Sequence, residues 1–106
     1  MSGGRFNYDQ FRIKSIAEEI QEYLDEMGKE KDDVDSSFMR DFYDKYPEER
    51  YNRIESEEVQ EKMRGAIKAL KVAHIYAQRV DWYLSGDDGE ESFLSRLEQE
   101  LKEVEQ

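Results

Sequence analysis

Residues 59–84 read VQEKMRGAIKALKVAHIYAQRVDWYL. Within them Val59, Met63, Ala66, Leu70, Ala73, Ala77, Val80 and Leu84 recur at alternating intervals of four and three. An α-helix turns about 100° per residue, so this spacing keeps all eight on one side. The result is an unbroken heptad seam, which predicts a long helix packed along its whole length. Ile67, Val72, Ile75, Tyr76, Trp82 and Tyr83 carry apolar surface further round the same cylinder. A helix apolar over more than half its girth is expected at the centre of a bundle or between subunits.

The side opposite the seam is charged. Arg64, Lys68, Lys71 and Arg79 fall within a sector of roughly 80°, shared with Ile75, Gln78 and Trp82. From Lys62 to Val80 there are five basic residues and no acidic one. The chain carries −11 and this span +5, so everything outside it sums to −16. Two readings compete. In the first, these cations pair with glutamates of neighbouring helices or of a second subunit. In the second, they line a groove or interface and hold an anion. Arginine offers a planar fork that matches phosphate. Trp82, with Tyr76 or Tyr83, offers aromatic faces on which a base can stack. Gly65 costs this helix up to about 1 kcal/mol relative to alanine, so it is expected where another backbone comes close.

Working outward, a first helix is predicted at 8–27. Asn7 or Asp9 would cap it, and Gly28 suits the left-handed position past its end. Tyr8, Phe11, Ile16, Ile20, Tyr23, Leu24 and Met27 recur in it at helical spacing. Residues 29–35 form a charged connection. Ser36 or Ser37 then caps a short aromatic helix bearing Phe38, Met39, Phe42, Tyr43 and Tyr46, stopped by Pro47. Ser56 caps the long helix, and Glu57 and Glu58 suit its positive end. Ser85 to Gly89 form a sharp turn in which Gly86 ends the long helix and Asp88 caps the last one. Phe93, Leu94, Leu97, Leu101 and Val104 give that helix one apolar stripe, folded back antiparallel.

The expected architecture is therefore all-α: an antiparallel helical bundle of three main helices plus a short aromatic one. The 106 residues make one domain, with residues 1–6 as a flexible N-terminus and Met1–Gly4 as a flexible start or cloning remnant. Apolar residues are 37% and charged residues 41%, which favours a homo-oligomer whose core is shared between subunits. Aromatic residues at 12% argue against disorder. There is no cysteine, hence no thiolate chemistry. No apolar run is long enough to span a bilayer and no signal core is present, so a cytoplasmic location is expected. The negative excess opposes generic binding to nucleic acid or anionic membrane, but it permits a basic protein partner.

Catalytic constellations are sparse. Glu19 and Glu22 could share a helix face. All-helical nucleotide pyrophosphatases of the MazG kind use such a pair, with a second acidic pair, to hold Mg²⁺. Glu58 and Glu61 are a poor substitute for that second pair. The run from Asp87 to Glu91 lacks the alternating ligands of a calcium loop and reads as a turn with a helix cap. His74 is the sole histidine and has no nucleophile at a local motif spacing. No catalytic residue, metal ligand or cofactor is assigned.

The segment AHIYAQRVDWYLSGDDGEESF, residues 73–93, resembles the C-terminal part of small acidic all-helical proteins encoded by phages and prophages. That resemblance implies a class and no specific site: a non-enzymatic, stoichiometric binding protein acting against host defence. Such proteins mimic the charge of DNA, block an enzyme or sequester a cyclic nucleotide signal. The leading expectation is capture of a small nucleotide by Arg64, Lys68, Lys71, Arg79, Trp82 and Tyr76. The alternatives are an acidic inhibitor or DNA mimic docking on a basic host protein, and a Mg²⁺-dependent pyrophosphatase built on Glu19 and Glu22.

Overall fold

The computed structural model describes residues 5–105. The reading of Met1–Gly4 lies outside them. The elements are α1 (Gln10–Glu26), α2 (Arg40–Lys45), a 3-10 helix (Pro47–Arg50), α3 (Glu57–Leu84) and α4 (Glu90–Glu105). The all-α expectation holds for the described residues, whose one extended pairing is an isolated antiparallel bridge between Glu30 and Tyr51. No described helix is long and apolar enough to cross a membrane.

Local chemistry sets most of the boundaries. Ser56 caps α3 as expected, its hydroxyl accepting from the Val59 N–H at 3.2 Å. Gly86, at φ +84°, ends it. Gly28 sits at φ +76°, a backbone conformation that favours glycine, and a Cβ there would press on the exposed Ile54 side chain at 3.1 Å. The start of α1 is built differently from expectation. Asp9 lies in helical geometry and its side chain makes no cap bond. Instead Asn7 and Tyr8 turn the chain at positive φ. The backbone N–H groups of Arg5 and Phe6 donate to the Asp81 carboxylate on α3. The segment expected to be loose through residue 6 is thus tied to α3 from Arg5 onward.

Asp81 is buried and works as a latch. Besides those two N–H donors it accepts from Gln10 Nε2 at 3.0 Å and from the Ser85 hydroxyl at 3.4 Å. A buried carboxylate is tolerable only when its lone pairs are filled in this way. Gln10 Nε2 also donates to Gln78 at 2.7 Å, which fixes the N-terminal end of α1 beside the C-terminal half of α3. At the other end Tyr23 donates to Glu55 at 3.0 Å. The two helices therefore run antiparallel.

Between α1 and α3 the chain makes an excursion. Lys31 N–H donates to Arg50 at 2.7 Å and Asn52 N–H to Lys29 at 2.8 Å, closing it at the base. Tyr43 of α2 is buried there, and its hydroxyl donates to Asp33 at 2.6 Å. That hydrogen bond to a carboxylate pushes the phenol up to about 12. Helix α2 starts later than expected, after a turn in which Met39 N–H bonds the Ser36 carbonyl. Phe38 is consequently left 89% exposed, ahead of the helix.

The arrangement of the three long helices departs from a closed bundle. Helix α3 packs against both α1 and α4, but α1 and α4 do not meet. The result is a single layer with α3 in the middle and principal extents of 62 × 32 × 14 Å. Its radius of gyration is 19.9 Å, where a compact chain of this length has about 13 Å. The reason lies in which face of α3 is used. The residues meeting α1, namely Ile67, His74, Gln78 and Asp81, centre about 80° to one side of the heptad seam. Those meeting α4, such as Arg79 and Tyr83, lie on nearly the opposite side. None of the eight seam residues is buried, and Val59, Ala73 and Leu84 are exposed. The seam predicted to be packed along its length is only flanked by α1.

Candidate functional site

On the face opposite the seam, α1 and α4 rise on either side of α3 and leave a trough. One hollow of about 210 Å³ is lined by Arg64, Ile67, Lys68 and Lys71 of α3, Gln21 of α1 and Val104 of α4. A second, of about 240 Å³, is lined by Lys14, Ala17 and Glu18 of α1, Lys71, His74 and Ile75 of α3, and Val104. Lys71 and Val104 belong to both, so the hollows adjoin. No carboxylate lines the first. Among the described residues Lys14, Arg64, Lys68 and Lys71 form no ion pair.

The positions follow from helix geometry. Arg64, Lys68 and Lys71 are spaced four and three apart, which stacks them along one face of α3. They are exposed, with the apolar floor supplied by buried Ile67. His74 Nδ1 lies 2.9 Å from the Gln10 carbonyl. A carbonyl only accepts, so Nδ1 carries the proton and Nε2 of the neutral ring is the acceptor. The last turn of α4 ends at the trough through Val104, placing the negative end of that helix dipole beside the cations.

The remaining residues expected in the site are elsewhere. Arg79 is committed within the chain. Its guanidinium bonds Glu100 through Nε and Asp88 through Nη1 at 3.3 Å, and its side chain is 11% exposed. The hydrogen bond to Glu100 raises its pKa, outweighing the opposing effect of burial. Trp82 lies beneath the same guanidinium, 4.7 Å from ring centre to the Arg79 carbon. Asp88, expected to cap α4, is instead clamped between Arg79 and Arg96. Tyr76 lines a groove on the seam face together with Ile13 and Val80. The first reading of the strip therefore describes Arg79, and the second retains Arg64, Lys68 and Lys71. Lys14 and Gln21 reach the trough from α1. A wheel drawn for α3 alone carries no trace of them.

Glu19 lines an apolar hollow with Ile16, Ile20, Tyr23 and Met63. No three His, Asp or Glu side chains among the described residues are grouped to hold a metal ion. Compared with protein-family models, curated proteins and solved structures, the chain matches none.

Proposed function

We propose that this is a non-catalytic binding protein that captures a small phosphate-bearing anion in the trough between α1 and α4. The observation that carries the reading is the first hollow: three cations around an apolar floor, no carboxylate in the lining and no ion pair within the described chain. In an acidic protein, local positive charge of this kind accepts a compact anion while the rest of the surface repels polyanions. Arg64 supplies a planar donor fork, and the two lysines supply point charges. With Trp82 held by Arg79 and Tyr76 on the reverse face, recognition rests on the phosphate and not on a stacked base. Sequestration of a nucleotide signal, the anti-defence role implied by the resemblance of residues 73–93 to phage proteins, is the biological form of this proposal.

Isothermal calorimetry tests it with pyrophosphate, linear nucleotides and cyclic nucleotides. The wild type is expected to give heat with at least one of these probes. Arg64→Glu and Lys68→Glu are expected to weaken that binding about tenfold or more each, a change of about 1.4 kcal/mol or more. Lys29→Glu, at an exposed pair with Glu26, is expected to bind as wild type. Absence of heat with every probe, or equal loss in all three variants, contradicts the proposal.

A further inference from the structure

Among the described residues no helix covers the face of the layer that bears the heptad seam. On α3 this face presents Val59, Met63, Ala66, Leu70, Ala73, Ala77, Val80 and Leu84. Beside them, Ile13, Ile16, Ile20 and Tyr23 of α1 repeat at three, four, three. Two hollows lie between these rows. One, of about 800 Å³, is lined on α1 and α3 by Ile13, Ala73, Tyr76, Ala77 and Val80 and closed at one end by the chain from Arg5 to Gln10. The other, of about 300 Å³, is lined by Ile16, Ile20, Tyr23 and Met63, with Glu19 at its side. Ile16, Tyr23, Tyr76 and Leu84 are all more than 40% exposed.

We infer that a second copy of this chain seats on this face, its α1 and α3 completing a four-helix core with the first pair. Two independent observations name that occupant. The first is area. The chain exposes 8225 Å², whereas a compact chain of 12.7 kDa exposes about 6,200 Å². Covering half of that excess on each of two copies removes about 2,000 Å² in total, the size at which permanent dimers begin. The second is pattern. Two apolar rows lie side by side on antiparallel helices, and a single docked helix fills one groove only. A second pair of the same helices fills both.

The seam also sets the direction. Laid antiparallel about a two-fold axis between Leu70 and Ala73, it places Val59 against Leu84, Met63 against Val80, Ala66 against Ala77 and Leu70 against Ala73. Large residues meet at the ends, small residues meet inside them, and Leu70 enters the space above Ala73. A parallel, in-register pair would instead stack alanine on alanine at 66, 73 and 77, leaving three thin layers. Antiparallel α3 helices also oppose their dipoles favourably. The cation trough stays on the outer face of each copy, so assembly and anion capture are separable.

Sedimentation equilibrium on the full chain, with circular dichroism alongside, tests this. The wild type is expected at the mass of two chains. Ala73 is exposed in the single chain, so Ala73→Glu leaves the fold intact and is expected at the mass of one chain with unchanged helicity. Val59→Lys, at the end of the seam, is expected to weaken association about tenfold or more. A wild type of one-chain mass at every concentration, a mass of three or more chains, or both variants associating like wild type would overturn the inference.

Discussion

Single residues carry effects that only their tertiary surroundings explain. Gly65 was expected to admit a neighbouring backbone, yet a Cβ built there meets nothing within 4 Å. Within the chain, then, this glycine only weakens α3. Gly65→Ala is expected to stabilise the protein by about 0.5–1 kcal/mol, read as a higher denaturation midpoint at unchanged slope. A destabilised Gly65→Ala would mean the space is filled by something outside one chain. Tyr43 gives a second expectation. Its phenol ionises at about 12, against an ordinary 10.0, because its proton is held by Asp33. The folded state thus keeps that proton more tightly than the unfolded chain. The stability from this bond is complete below pH 10, the unfolded value, and is lost as pH rises through about 12. Ultraviolet titration should show two late tyrosines, Tyr43 and Tyr23, the latter raised by its hydrogen bond to Glu55, and Asp33→Asn should return Tyr43 alone toward the ordinary value.

Among the elements, helix existence was legible and helix partners were not. The periodicities of α1, α3 and α4 specify amphipathic helices, and Ser56, Gly28 and Gly86 punctuate them as their chemistry requires. The heptad seam identifies a face to be covered without saying by what. Here intrachain packing falls on its flanks, because Asp81 and Gln78 hold α1 to one side while Arg79 holds α4 to the other. Polar residues off the apolar stripe made that choice, and a hydrophobic pattern does not weigh them. Arg79 is the clearest case: it reads as one of four equivalent cations, yet burial between Asp88 and Glu100 makes it the bolt of the α3–α4 hairpin. Removing it leaves the buried Asp88 carboxylate, 6% exposed, with Arg96 as its one remaining cation, and leaves Glu100 without its partner on α3. Arg79→Met is expected to cost about 2 kcal/mol, measured by denaturant unfolding. Lys68→Met, in the open trough, should change stability by no more than about 0.5 kcal/mol.

For the whole molecule, composition already pointed to a shortage of core. Thirty-seven per cent apolar residues is low for a compact monomer, and the fold is one layer 14 Å thick. What composition could not convey is the division of labour between the two broad faces. One carries the paired apolar rows, the other the trough of Arg64, Lys68 and Lys71. The trough was half legible: its three α3 cations follow from the helix wheel, whereas Lys14, Gln21 and Val104 depend on how α1 and α4 are hung from α3. In the proposed dimer the two α3 seams meet antiparallel about a two-fold axis. Because the chain has no cysteine, a single spin label at Glu58→Cys, exposed and off the seam, reports the geometry without background. Antiparallel seams place the two labels about 40 Å apart across the pair, from 1.5 Å of rise per residue. Labels within about 20 Å would show parallel helices, and the absence of any dipolar coupling would show that no such pair forms.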